Sequence, residues 1–265
     1  MARMNTRLLL ALPVVALLCG SCAVVPETGR SQLLLISSAE EMQLGLTEFD
    51  KLKQSTPVSK DTAANTMLQR VGQRISAVAK LPNAQWEFVL FDDAKTANAF
   101  CLPGGKVGVY TGILPVTKDE AGLATVLGHE IAHAVARHGA ERMSEMLVTK
   151  VGGELFGVAL QKYAPQTQNL FQGVYGLTSQ VGWVLPHSRG QESEADRIGL
   201  KYMARAGYDP RAAVDFWKRF AEFNQKSGGM KWEFLSTHPL DETRIKQLEA
   251  WMPEALAEYH PPAAK

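Results

Sequence analysis

Cysteine is scarce in this chain, long apolar runs are nearly absent, and no excess of one charge sign exists. The 265 residues include three cysteines, Cys19, Cys22 and Cys101, too few for the framework of a small disulfide-stapled domain. Cys101 has no adjacent base in sequence, which argues for a packed thiol rather than a nucleophile. The longest early apolar run, Leu8 to Leu18, has eleven residues. A bilayer-spanning helix needs about 20. A net charge of +1, without a basic cluster or a basic groove interleaved with aromatics, excludes a nucleic-acid binder. Repeats are also missing: 21 residues follow Arg244, fewer than the roughly 34 of one tetratricopeptide unit, so no repeat platform is expected. The remaining composition, 46% hydrophobic and 21% charged, is that of an ordinary globular protein. Its length suffices for one full core.

Against this background His129-Glu130-Ile131-Ala132-His133 stands out. Histidines at i and i+4 leave one face of a helix one turn apart, so both imidazoles can grip one ion as neutral nitrogen donors. Glu130 is rotated off that line yet within reach of a water activated at the ion, where a carboxylate acts as general base. The surrounding segment, Asp119 to Ala140, predicts a helix. It opens on acidic residues, carries Leu123, Val126, Leu127, Ile131 and Ala134 at helical spacing, and closes at Arg137-His138-Gly139 with glycine as left-handed cap.

A catalytic zinc takes three protein ligands and keeps one position open. Downstream, Arg189 to Gly199 starts a second helix on which Glu192 and Asp196 share a face, four residues apart, while Glu194 points elsewhere. Glu192 is the expected third ligand, with Glu194 as alternative. Asp196 is the expected acceptor that fixes a ligand imidazole in its tautomer. One Zn2+ per chain is anticipated. His138, His187 and His260 read as cap, surface and tail residues.

These motifs, His-Glu-x-x-His followed by Glu-x-x-x-Asp, resemble those of the HtpX-like and CaaX-prenyl-protease metallopeptidases. Two further stretches are similar to the family: Asn98-Ala99-Phe100 with Gly104 to Gly112, and Ser236-Thr237-His238-Pro239 with Arg244. The likeness covers roughly residues 33–248 and is similar in layout both to short bacterial envelope lipoprotein members and to a mitochondrial inner-membrane stress protease. It implies an α+β, mostly helical, zincin-like domain with a small antiparallel sheet beside the metal helix. It also implies peptide-bond hydrolysis, with Glu130 as base and His238 or Arg244 as donor to the oxyanion. His238 carries a second reading, an inhibitory fourth ligand. Peptide substrates of such enzymes pair with an exposed strand edge, which makes Asn98, Gly105, Val107 and Val109 candidate substrate contacts. A chaperone or assembly factor using the same cleft is the alternative, distinguished by its indifference to Glu130.

The first 21 residues read as a leader. Arg3 and Arg7 precede the apolar run, small residues Gly20 and Ser21 follow it, and Cys22 comes next. This is similar to a bacterial lipoprotein signal, with Cys22 as the lipid-modified residue, although Cys19 stands where leucine is preferred. The expected address is the periplasm, anchored to the outer membrane through the lipid. The expected partners are unfolded or misfolded envelope proteins and the outer-membrane assembly machinery. In domain terms, residues 1–21 are leader, 22–37 an extended arm, 38–260 the metallopeptidase domain and 261–265 a loose tail. Within the domain, helices are expected from Ser38 (as cap) to about Gln54, from Asp61 to Lys80, from Arg211 to about Lys226 and from Asp241 to Tyr259. Strands are expected at Trp86–Phe91 and Lys106–Thr111. Residues 140–186 read as a helical hairpin or a lid over the cleft.

Overall fold

The computed structural model describes residues 22–151, 170–172, 174–175, 187–226, 234, 237–238 and 243–261. The leader expected over residues 1–21 and most of the hairpin or lid expected over 140–186 lie outside them, as does the tail beyond residue 261.

Two short strands, β1 (Cys22–Val24) and β2 (Ser31–Leu33), pair antiparallel. The segment expected to be an extended arm is thus a hairpin, turned by Gly29 at a positive φ of 74°. It is docked on the domain: Gln32 Nε2 donates to the Ala136 carbonyl at 2.9 Å. Helix α1 (Ser38–Ser55) follows, capped by Ser37, whose hydroxyl accepts from Glu40 N, rather than by Ser38. Helix α2 (Thr62–Ser76) is capped by Asp61 and buries Leu68, Val71 and Ile75 along one stripe.

Strands β3 (Glu87–Phe91), β4 (Ala99–Leu102) and β5 (Lys106–Tyr110) form the main sheet in the order β3-β5-β4. The small sheet is present but mixed. β5 runs antiparallel to β4, its hairpin partner, and parallel to β3, because the chain reverses once between β3 and β4 and again in the β4–β5 hairpin. Side chains alternate as the pleat requires. Phe88, Leu90, Ala99, Cys101, Val107 and Val109 face one core with α2 and the metal helix. Phe91, Phe100 and Leu102 face a second core with Phe49 of α1 and with Phe171 and Val174.

After a turn of 3-10 helix at Thr111–Ile113 and one turn of α-helix, α3 (Leu114–Thr117), comes α4 (Glu120–Ala136). Asp119 caps α4 by accepting from Gly122 N at 2.9 Å. Every residue of α4 from Gly122 to Ala136 is buried, as expected for a central helix that is apolar nearly all round. It ends at Arg137, in the left-handed conformation (φ 55°), not at Gly139. Glycine is unnecessary there because the Arg137 guanidinium is tied to Glu41 at 2.8 Å and to the Ile36 carbonyl at 3.0 Å. Gly139 instead lies inside α5 (His138–Val151), where a side chain would collide with Tyr175. Helix α6 (Arg189–Arg205) opens on a capping box between Ser188 and Gln191. Helices α7 (Arg211–Lys226) and α8 (Arg244–Ala257) close the core with Phe216, Trp217, Phe220 and Leu248. Among the described residues no helix is long and apolar enough to cross a membrane.

The closest helix packing places the site. At the crossing of α4 and α6, Gly128 faces Gly199, and a Cβ on Gly199 would lie 3.1 Å from His129 N and 3.2 Å from the Gly128 carbonyl carbon. Both neighbours are backbone and cannot turn aside. Gly199→Leu should therefore destabilise the protein by about 1–3 kcal/mol despite leucine's better helix propensity. Gly190→Ala, where only the Ser188 hydroxyl lies within 4 Å (at 3.8 Å), should change stability by less than about 1 kcal/mol. Urea unfolding of the two variants checks the contrast.

Candidate metal centre

The α4–α6 crossing brings polar residues of the apolar α4 face to face with acidic residues of the more polar α6. His129 (2% exposed), Glu130 (4%) and His133 (5%) come from α4; Glu192 (6%) and Asp196 (4%) come from α6; His238 (3%) arrives from the segment before α8. His129, His133, Glu192 and His238 each offer one ligand atom, and these atoms lie within 4.8 Å of one another. The separations are informative. His129 Nε2 is 3.0 Å from His133 Nε2 and 3.1 Å from His238 Nδ1. Glu192 Oε1 is 2.8 Å from His238 Nδ1 and 3.4 Å from His133 Nε2, and Glu192 Oε2 is 3.5 Å from His129 Nε2. Ligands at about 2.05 Å from a tetrahedral zinc stand about 3.3 Å apart. The set therefore fits the edges of a zinc tetrahedron, and imidazole nitrogen with carboxylate oxygen is a zinc donor set.

Glu130 Oε1 is buried and makes no hydrogen bond; His238 Nε2 lies 3.3 Å away. Burial pushes the Glu130 carboxyl up from its ordinary value, with His238 and His129 pulling against it. Burial also pushes His133 well below the usual imidazole range, and the charge on His129 adds to this. For His129 itself burial acts downward, but the carboxylates of Glu192 and Asp196 outweigh it and hold the ring at about 9. Glu192, raised by burial, is held well below the carboxylate range by His238, His129 and His133.

Asp196 Oδ1 lies 2.9 Å from His129 Nδ1, the far side of the ring from the convergent nitrogens. Arg244 grips Asp196 through Nε at 2.6 Å and Nη2 at 2.7 Å, brings Nη1 to 3.1 Å from Glu192 Oε2, and stacks its guanidinium carbon 3.4 Å from the Trp217 ring centre. The expectation that Arg244 serves as an oxyanion donor is corrected here. Its Nε and Nη2 are taken up by Asp196 behind His129 and its Nη1 faces the carboxylate of Glu192, so it braces these two side chains.

Three other expectations change. Val107 and Val109 are fully buried on β5, the central strand with both backbone edges paired, so they are core residues and not a docking edge. Gly105 is a turn glycine (φ 82°) whose missing side chain makes room for Trp86. Asn98 is buried; its Oδ1 accepts from Ala99 N at 2.9 Å and its carbonyl from Tyr110 N at 3.0 Å. Glu194 is no ligand: it accepts from His138 Nε2 at 2.9 Å and Arg30 Nε at 2.8 Å. His138, read as a cap, and His187, read as a surface residue, form a second group with His133. The His138 ring is fully buried, and the His187 ring centre is 3.8 Å from that of His133. Cys101 is a buried free thiol, as expected.

Helices wrapped round a small sheet, with a His-Glu-x-x-His helix facing Glu192 of a second helix, define a zincin-like metallopeptidase domain. The chain belongs to peptidase family M48, whose model matches residues 62–252. It is similar to a protein named mitochondrial metalloendopeptidase OMA1 of Schizosaccharomyces pombe, 42% identical over 71% of this chain and 53% of that protein. It is 31% identical to the protein of the same name from Saccharomyces cerevisiae over 91% of this chain and 74% of that one. It is also 29% identical to the β-barrel assembly-enhancing protease of Escherichia coli, over 85% of this chain and 46% of that one. The chain thus spans about half the length of the first and third of these relatives.

Removing Arg244 leaves the Asp196 charge buried without its cation. Arg244→Met should cost the metal-free protein about 3–5 kcal/mol, and adding Asp196→Asn should recover part of it by removing the stranded charge. Denaturant unfolding of the single and double variants checks this.

Proposed function

We propose that the chain is a zinc-dependent endopeptidase acting on misfolded or stalled proteins of the bacterial envelope, with Cys22 as the lipid-modified anchor. The carrying observation is the near-tetrahedral spacing of the nitrogens of His129 and His133 and the carboxylate of Glu192, beside a buried Glu130 oxygen that makes no hydrogen bond. His129 and His133 would hold the ion through Nε2 and Glu192 through its carboxylate, while Asp196 keeps His129 Nδ1 protonated. When bound, zinc supplies Lewis acidity that brings the pKa of a water from 15.7 toward about 7. Glu130 takes the proton of the attacking water on its carboxylate and later delivers it to the leaving amine nitrogen. Burial that raises the basicity of Glu130 suits both transfers. The address rests on the leader pattern before Cys22 and on similarity to an assembly-enhancing protease of a bacterium. Relatives named as mitochondrial make the mitochondrion the competing address.

The test compares cleavage of casein by the zinc-loaded protein and by Glu130→Gln. Hydrolysis should fall by at least about 100-fold in the variant, at the scale of a lost general base, with zinc content unchanged. Equal cleavage by both would assign the activity to a contaminant.

His238 favours a second statement about the same site. Its Nδ1 sits at ligand spacing from both His129 and Glu192, which is the position an attacking water must use. We propose that this arrangement is a latent state, in which His238 fills the fourth coordination position. His238→Ala should then cleave casein faster than wild type; an unchanged or lower rate counts against latency and returns His238 to the role of oxyanion donor.

A further inference from the structure

The imidazole of His133 has two sides, and the far side is as constrained as the near one. His133 Nδ1 lies 2.8 Å from His138 Nδ1. His138 Nε2 lies 2.9 Å from Glu194 Oε2. The same Glu194 oxygen receives Arg30 Nε at 2.8 Å, its other oxygen receives the Thr28 hydroxyl, and Arg30 also pairs with Glu141. Thr28 and Arg30 belong to the β1–β2 hairpin.

The donors and acceptors in this chain have one consistent assignment. An ionised carboxylate only accepts, so His138 carries its proton on Nε2 and gives it to Glu194. A neutral His138 then has a lone pair on Nδ1, which must accept the Nδ1 hydrogen of His133. That leaves His133 Nε2 bare, 3.0 Å from His129 Nε2 and facing Glu192. The opposite tautomer would place a hydrogen at the position the ion needs. Reading His133, His138 and His187 as a second metal site fits less well, because Arg142 Nη2 already stands 3.1 Å from His187 Nε2.

We propose that Glu194 and His138 are positioning residues that fix the metal-binding tautomer of His133, and that Arg30 makes docking of the N-terminal hairpin a determinant of metal retention. The idea rests on the zinc reading above and deepens it: segments before α1 and the metal ligand form one hydrogen-bonded unit.

The experiment measures zinc affinity by competition with a chromogenic chelator, and the imidazole tautomers by 15N NMR of histidine-labelled, zinc-loaded protein. His138→Ala and Glu194→Ala should each weaken zinc about 10–100-fold. Glu194→Gln, whose amide oxygen still accepts from His138, should recover most of the loss, whereas Glu194→Met, which fills similar space without an acceptor oxygen, should not. Arg30→Ala should weaken zinc several-fold and combine less than additively with His138→Ala, while Arg211→Ala, in an exposed pair with Asp209, should match wild type. The spectrum should show His133 with Nδ1 protonated and Nε2 bound to metal. Wild-type affinity in His138→Ala, or a His133 bound through Nδ1, overturns the proposal. Additive effects of Arg30→Ala and His138→Ala, or none from Arg30→Ala, overturn its hairpin part. Failure of the wild type itself to take up zinc would instead overturn the metallopeptidase reading.

Discussion

The structure depends on keeping charged side chains in a water-excluded interior. Glu130, Glu192, Asp196, Arg244 and three histidines are each at most 6% exposed, and leaving any such group uncompensated costs several kcal/mol. Much of the fold around them can be understood as compensation. Arg244 neutralises Asp196 and leans on Glu192, Trp217 covers the guanidinium, and Asp196 engages the back of His129. Glycines at the α4–α6 crossing let the two helices approach closely enough for these pairs to form. Three atoms of the cluster, Glu130 Oε1, Glu192 Oε2 and Arg244 Nη1, make no hydrogen bond; the last two face each other as an ion pair at 3.1 Å, and the first belongs to the residue with the most chemistry to do.

Local features of this arrangement were legible in the sequence. The metal helix, its Asp119 start, the i,i+4 pairing of His129 with His133 and that of Glu192 with Asp196 follow from helical periodicity alone. The structure brings those four side chains and Glu130 together. Asp61 as cap located the start of α2, which ends at Ser76 rather than at Lys80, and α6 begins at Arg189 as expected.

What escaped was non-local. His138 stands five residues after His133, a step that puts two side chains about 140° apart on an unbroken helix. They meet because Arg137 breaks the helix in a left-handed conformation, and what holds that conformation is Glu41, ninety-six residues earlier. A Gly two residues on drew the reading toward the commoner glycine cap. Arg244 was identified by family likeness, which gave its presence at the site but not its direction. Strand order was likewise hidden: β5 looks like an edge when only its hairpin with β4 is visible, and is central because β3 pairs along its other side.

That strand order bears on self-association. A three-stranded sheet has two open sides, and an open side is a template for pairing with another chain. Here the β3 side is occupied. Along β3, Val58 bridges to Phe91, Ser59 N donates to the Leu90 carbonyl, and the Gln69 amide takes that of Phe88. Along β4 all four residues are buried against the helices, and just before it Phe234 N reaches the Ala97 carbonyl. The β3 flank is thus guarded against aggregation. An extended polypeptide that adds along β3 must first displace part of the protein's own chain.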